Sequence, residues 1–84
     1  MQEQLIGTVS DFFAKPVVAG IELTGPLKVG DKISIKGHTT TLEMSVSSMQ
    51  IKNANVQEAN AGDSIGIKVS DRVRKGDHVF KVVE

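Results

Sequence analysis

The 84-residue sequence predicts an all-β fold, closed on itself as a small antiparallel barrel. Three observations carry this. The apolar residues recur with a period of two along most of the chain, the mark of strands with one buried face. Glycines punctuate it at short intervals, at Gly25, Gly30, Gly37, Gly62 and Gly76, mostly beside Asp or Pro, which is turn chemistry. No window carries a helical stripe. Six or seven short strands joined by tight turns indicate a barrel or sandwich, and closure removes the exposed edges that a small open sheet would have.

The opening LIGTVSDFF is extended in character through Leu5, Gly7 and Val9. Val17, Ala19, Ile21 and Leu23 then alternate with Val18, Gly20, Glu22 and Thr24. After the turn TGPLKVGD, Ile33 and Ile35 alternate with Lys32, Ser34 and Lys36. Leu42, Met44 and Val46 face one way, and Thr41, Glu43 and Ser45 the other. Val46 and Met49 are three apart, so the inward phase shifts across Ser47 and Ser48, as a β-bulge or bend would make it do, the alternative being that the strand simply ends at Val46. Ile65, Ile67 and Val69 resume the alternation, and HVFKVV forms the last strand.

Composition narrows the function. At this length one domain is expected, residues 1–84, burying roughly 60–65% of the surface that the unfolded chain exposes. With no cysteine there is neither a disulfide framework nor a thiolate metal site. Ten basic residues balance ten acidic ones, at a pI near 6.7, whereas a domain living on phosphates shows a basic excess. Only the C-terminal stretch is mildly basic, with Lys68, Arg72, Arg74, Lys75 and Lys81 against Asp71, Asp77 and Glu84. There is no Trp or Tyr to build base-stacking platforms. No apolar run approaches the ~20 residues that span a bilayer, and the polar start MQEQ is no signal peptide. A cytoplasmic protein with no membrane partner is expected.

Candidate chemistry is sparse. His38, in the turn KGHTT, and His78, at the start of the last strand, lack the short spacing of a metal motif. Ser45, Ser47, Ser48, Ser64 and Ser70 show no nucleophile-elbow pattern. Asp63 and Asp77 each follow a glycine, where a short carboxylate accepts backbone N–H bonds and stabilises a turn. PLKVGDK has neither the glycine spacing nor the Lys-Ser/Thr pair of a phosphate loop. DRVRKGD reads as a solvated turn, although Arg72, Arg74 and Lys75 have the charge to touch phosphate. These readings predict no enzyme, no metal and no cofactor.

Several turns in order resemble the second domain of the translational GTPases, closest to elongation factors Tu and alpha. The matching segments are Val17–Gly20, Gly25–Asp31, Val46–Met49, Glu58–Gly66 and Arg74–Asp77, spread over about residues 5–80. The resemblance implies a small closed six-stranded antiparallel β-barrel of the translation-factor domain-2 type, free-standing and without a GTPase domain, and so no nucleotide binding. It implies a non-catalytic binding module linked to translation, with a protein or RNA partner. In that family a shallow pocket receives the aminoacyl end of tRNA. Where the family has an Arg, a Glu and a second Arg, this chain has Ile21, Ser48 and Ile51. The expected contact face is Ile21, Ser48, Met49 and Ile51, made more apolar by these changes and so suited to a protein partner or self-association. The basic turn Arg72, Arg74 and Lys75 is the second expected contact. The alternatives are an RNA- or tRNA-binding accessory protein and a non-catalytic subunit of a larger enzyme.

Overall fold

A computed structural model describes residues 2–15, 17–38, 40–52 and 54–83. The chain is all-β, with no helix among the described residues. Its strands are β1 (Gln2–Ala14), β2 (Val17–Leu23), β3 (Leu27–Lys28), β4 (Lys32–Lys36), β5 (Thr41–Ser45), β6 (Met49–Ile51), β7 (Ala54–Asn55), β8 (Glu58–Ala59), β9 (Ser64–Lys68) and β10 (His78–Val83). They form an eight-stranded sheet in the order β5-β4-β10-β1-β2-β9-β6-β7 and a two-stranded ribbon, β3-β8. The pairs are antiparallel.

The inward alternation is clearest in β2 and β9. Ala19, Ile21 and Leu23 are buried, as are Ile65 and Ile67, which lie opposite Ile21 and Ala19 in the ladder. Ile6, Val9, Ile33, Ile35, Val46, Met49, Val73 and Val79 complete most of an aliphatic core. Each fully buried Ile, Leu or Val side chain favours folding by about 1.5–3 kcal/mol. Ser34 is an exception at 0% exposed, with a hydroxyl that has no hydrogen-bond partner among the described residues.

The first strand departs from its expected phase. Leu5 is 51% exposed while Ile6 is fully buried. The register shifts between Leu5 and Gly7 against β10, and between Val9 and Asp11 against β2. These two irregularities let one long strand bend and serve both neighbours. The bulge expected at Ser47 and Ser48 is absent. β5 ends at Ser45, and Val46, next in its register, faces two residues: Gly30 N–H donates to the Val46 carbonyl at 2.8 Å and Val46 N–H to the Asp31 carbonyl at 2.9 Å. The irregularity is a bulge on the opposite strand, at Gly30 and Asp31.

Three turns share one construction. In Lys28–Asp31, Asn60–Asp63 and Arg74–Asp77 the first residue's carbonyl accepts the fourth residue's N–H, at 3.0–3.1 Å. In return, the Asp carboxylate accepts the first residue's N–H, at 2.9, 2.8 and 2.8 Å. The third residue is Gly30, Gly62 or Gly76, with φ of 97°, 93° and 96°, a conformation open to glycine and costly for other residues. The Gly-Asp pairs of the sequence are thus a repeated backbone device.

Candidate functional site

The most distinctive surface lies on the outer face of β1, β2, β9 and β6. Asp11, Gly20, Gly66 and Gln50 are successive partners across these four strands. Gly20 and Gly66 lie side by side without side chains, and the row is low there, bordered by Asp11 Cβ and Ser10 Oγ at 3.3 and 3.4 Å from where a Gly20 side chain would begin and by Val18 Cγ1 at 3.4 Å from a Gly66 one. The next row on this face runs Phe13, Val18, Lys68, and its Phe13 is 52% exposed. Two hollows, of about 480 and 250 Å³, meet over Val18, Gln50 and Gly66. They form one groove with a glycine floor and an apolar edge.

The charged side chains lining the two hollows are lysines, while Asp11 stands beside Gly20 at the β1 end of the row and Glu22 lies opposite Ser64. Lys15 and Lys52 line the larger hollow and Lys68 the smaller, and no carboxylate lines either. Among the described residues none of the three is ion-paired. Lys52, in the β6–β7 hairpin, has a φ of 51°. A non-glycine residue in this left-handed region costs on the order of 1 kcal/mol, and Asn or Gly is its usual occupant. Gln50 donates through Nε2 to Asn55 Oδ1 at 3.1 Å, and its Oε1 has no hydrogen-bond donor among the described residues.

The residues expected from the sequence divide sharply. Ile21 and Met49 are 0% and 1% exposed, so they hold the sheet from beneath and offer a partner no surface. Ile51 is half-buried against the core. Ser48 alone of the four lines the groove. Sequence reasoning missed Gly20, Gly66, Gln50 and the three lysines. Their signal was a glycine at the outward position of two strands, which marks a close backbone approach or an open face.

The basic turn lies elsewhere. Val73, 1% exposed, pins it to the core while Arg72, Arg74 and Lys75 are exposed. Arg72 sits over the Phe12 ring, its Cζ 6.0 Å from the centroid. Arg74 and Lys75 share a hollow of about 470 Å³ with His38 and His78, so the fold brings the two histidines near one another. Two permanent cations beside them disfavour a metal ion, and no group of three potential ligands occurs among the described residues.

No protein-family model matches the chain. Its fold is that of the C-terminal domain of a Geobacillus thermoleovorans protein named as a U32 peptidase. The TM-score is 0.89 at 12% identity, over 95% of this chain and 93% of that one. The selenomethionine variant of that domain gives 0.85 at 11% identity, over 90% and 96%. In sequence, the chain is 45% identical over 80 residues to an uncharacterized protease of Methanocaldococcus jannaschii, covering 94% of this chain and 20% of the protease. It is 30% identical over 82 residues to a collagenase of Porphyromonas gingivalis, covering 95% and 23%. The chain therefore spans about a fifth of the length of the curated relatives it matches.

These relatives overturn the resemblance to the translational GTPases and with it the translation role, and they lend no better support to the RNA-binding or non-catalytic-subunit alternatives. The physical reason lies in the turns. Gly25–Asp31, Glu58–Gly66 and Arg74–Asp77, which carried much of the likeness, contain or overlap the three Gly-Asp turns. They report how a small β fold reverses direction and carry no information about a ligand. The expectation of no enzyme is corrected by the same relatives, which are named as a protease and collagenases.

Proposed function

We propose that this chain is the β-domain of a U32-type peptidase and takes part in proteolysis by holding polypeptide substrate on its outer sheet face. The observation that carries this reading is the 45% identity over 80 residues to a protease of which the chain matches a fifth. The glycine-floored groove supports it, because bare backbone allows a second main chain to come close. The partner is then a polypeptide, and Ser48 with the lysines of the groove replaces the expected Ile21 and Met49 as its contact. Arg72, Arg74 and Lys75 form a separate exposed surface suited to the remaining part of such an enzyme. The lack of cysteine fits a reducing cytoplasm.

We further propose that residues 1–84 form one closed barrel. Support comes from the path of the chain: β3 leads into β4 near one end of the sheet and β8 follows β7 at the other, while Val29 N–H donating to Gln57 at 2.9 Å extends the β3–β8 ladder that joins the two connections.

A domain exchange tests the function. Removing the matching segment from the Methanocaldococcus jannaschii protease is expected to lower kcat/KM on protein substrates, and inserting this chain in its place to restore it. Unchanged cleavage after removal would overturn the proposal.

A further inference from the structure

We infer that the groove over Gly20 and Gly66 binds an extended, acidic segment of polypeptide. The inference rests on the peptidase reading only for the identity of that polypeptide as a substrate. The binding chemistry follows from this chain's own geometry and charge.

The floor decides the kind of occupant. Two neighbouring strands lack a side chain at the same register position, so a main chain can lie lower here than elsewhere on the sheet. The backbone groups of β2 and β9 are spent in their own ladder, and the occupant therefore crosses the face instead of adding a strand. Gln50 Oε1 stands beside the floor to accept an N–H of that chain. The exposed ring of Phe13 and the half-buried Val18 give an apolar edge for one side chain.

The rim decides the charge. Lys15 and Lys52 at one hollow and Lys68 at the other are unpaired among the described residues, and the hollows contain no carboxylate. Two carboxylates share the face: Asp11 beside Gly20, which also lines the hollow of Arg72, and Glu22 opposite Ser64, so the three lysines leave a net charge of one positive. Carboxylates spaced along the occupant meet ammonium groups on both sides of the glycine floor. Lys52 sits at the tip of the β6–β7 hairpin, whose tight turn calls for its positive φ and carries its ammonium to the rim.

The test is fluorescence anisotropy of the 84-residue chain with two labelled peptides of about ten residues, the length of an extended recognition segment. One is built of Glu, Ala and a single Phe, and the other has Gln in place of every Glu. The Glu peptide is expected to bind saturably and about tenfold tighter at low salt, from three exposed charge pairs, with the difference shrinking as salt is raised. Gly66→Val fills the floor and is expected to weaken the Glu peptide by about tenfold. Gly66→Ala, whose new Cβ meets only Val18 Cγ1 at 3.4 Å, gives a milder loss in a protein of unchanged melting temperature. Lys52→Gly relieves the strain, so it should melt at or above the parent while binding falls by about threefold. Equal affinity for the two peptides would overturn the inference. So would unchanged binding by both Gly66 variants, or tighter binding of single-stranded RNA of the same length through these lysines. The domain exchange can fail with peptide binding intact, and the reverse, so the two readings stand or fall separately.

Discussion

The contact between Gly37 and Asp77 offers a strict check on how the fold is held. Asp77 is 5% exposed and its Oδ2 accepts the Arg74 N–H at 2.8 Å. A Cβ built on Gly37 would overlap the Asp77 carboxylate and lie 2.5 Å from its Cγ. Gly37 has no positive φ, so alanine is excluded there by space and not by backbone conformation. Asp77→Ala removes a charge-assisted hydrogen bond from a buried site and is expected to cost about 2 kcal/mol. Gly37→Ala must displace the carboxylate and also overpack the site, at about 3 kcal/mol or more. In the double variant the obstructing carboxylate is gone, and the total should stay near the Asp77→Ala value. The expected coupling is therefore about 3 kcal/mol, where independent sites would add to about 5 kcal/mol. Urea unfolding followed by circular dichroism is the assay, as the chain has no Trp or Tyr to report by fluorescence. Additivity within about 0.5 kcal/mol would refute the proposed packing.

Asp31 and Asp63 cap the same kind of turn from half-buried positions, so Asp31→Ala and Asp63→Ala should each cost about 1 kcal/mol, lowering Tm by about 4–8 °C in a domain of this size. A melt of Asp77→Ala above either of them would contradict the burial argument. Ser34→Ala removes an unpartnered buried hydroxyl and should leave stability unchanged or raise it by up to about 1 kcal/mol, read from the urea midpoint. Glu3 and Lys36 form a side-chain pair at 2.6 Å whose members are 35% and 47% exposed. Glu3→Gln should therefore cost under about 1 kcal/mol, a loss that disappears at high salt.

Much of the fold was legible because one face of β2 and β9 is buried and the other is not. Their period-two pattern carries the register directly, and the aliphatic residues it assigns inward are the core. β1 was harder to read, since its two register shifts move Ile6 inward and Leu5 outward, which strict alternation cannot express. The break after Val46 was visible, yet its meaning depended on Gly30 and Asp31, some fifteen positions earlier in the chain. The groove was the least legible part. It consists of an absence, two glycines whose adjacency exists only once β2 and β9 have paired. The resemblance to translation factors went astray for a related reason. Gly-Asp turns are strongly constrained by backbone geometry and are therefore shared by folds with unrelated ligands.

The position of β10 has a consequence for how the chain acquires its shape. This strand lies between β4 and β1, so the β4–β5 hairpin has no ladder to the rest of the sheet until His78–Val83 arrive. During synthesis the earlier strands must wait with one edge of β1 open and Ile33 and Ile35 uncovered. Such late, long-range closure makes for slow folding. It also gives chaperones and proteases their best opportunity before the last strand is in place, and a cut within His78–Val83 would return the molecule to that vulnerable state.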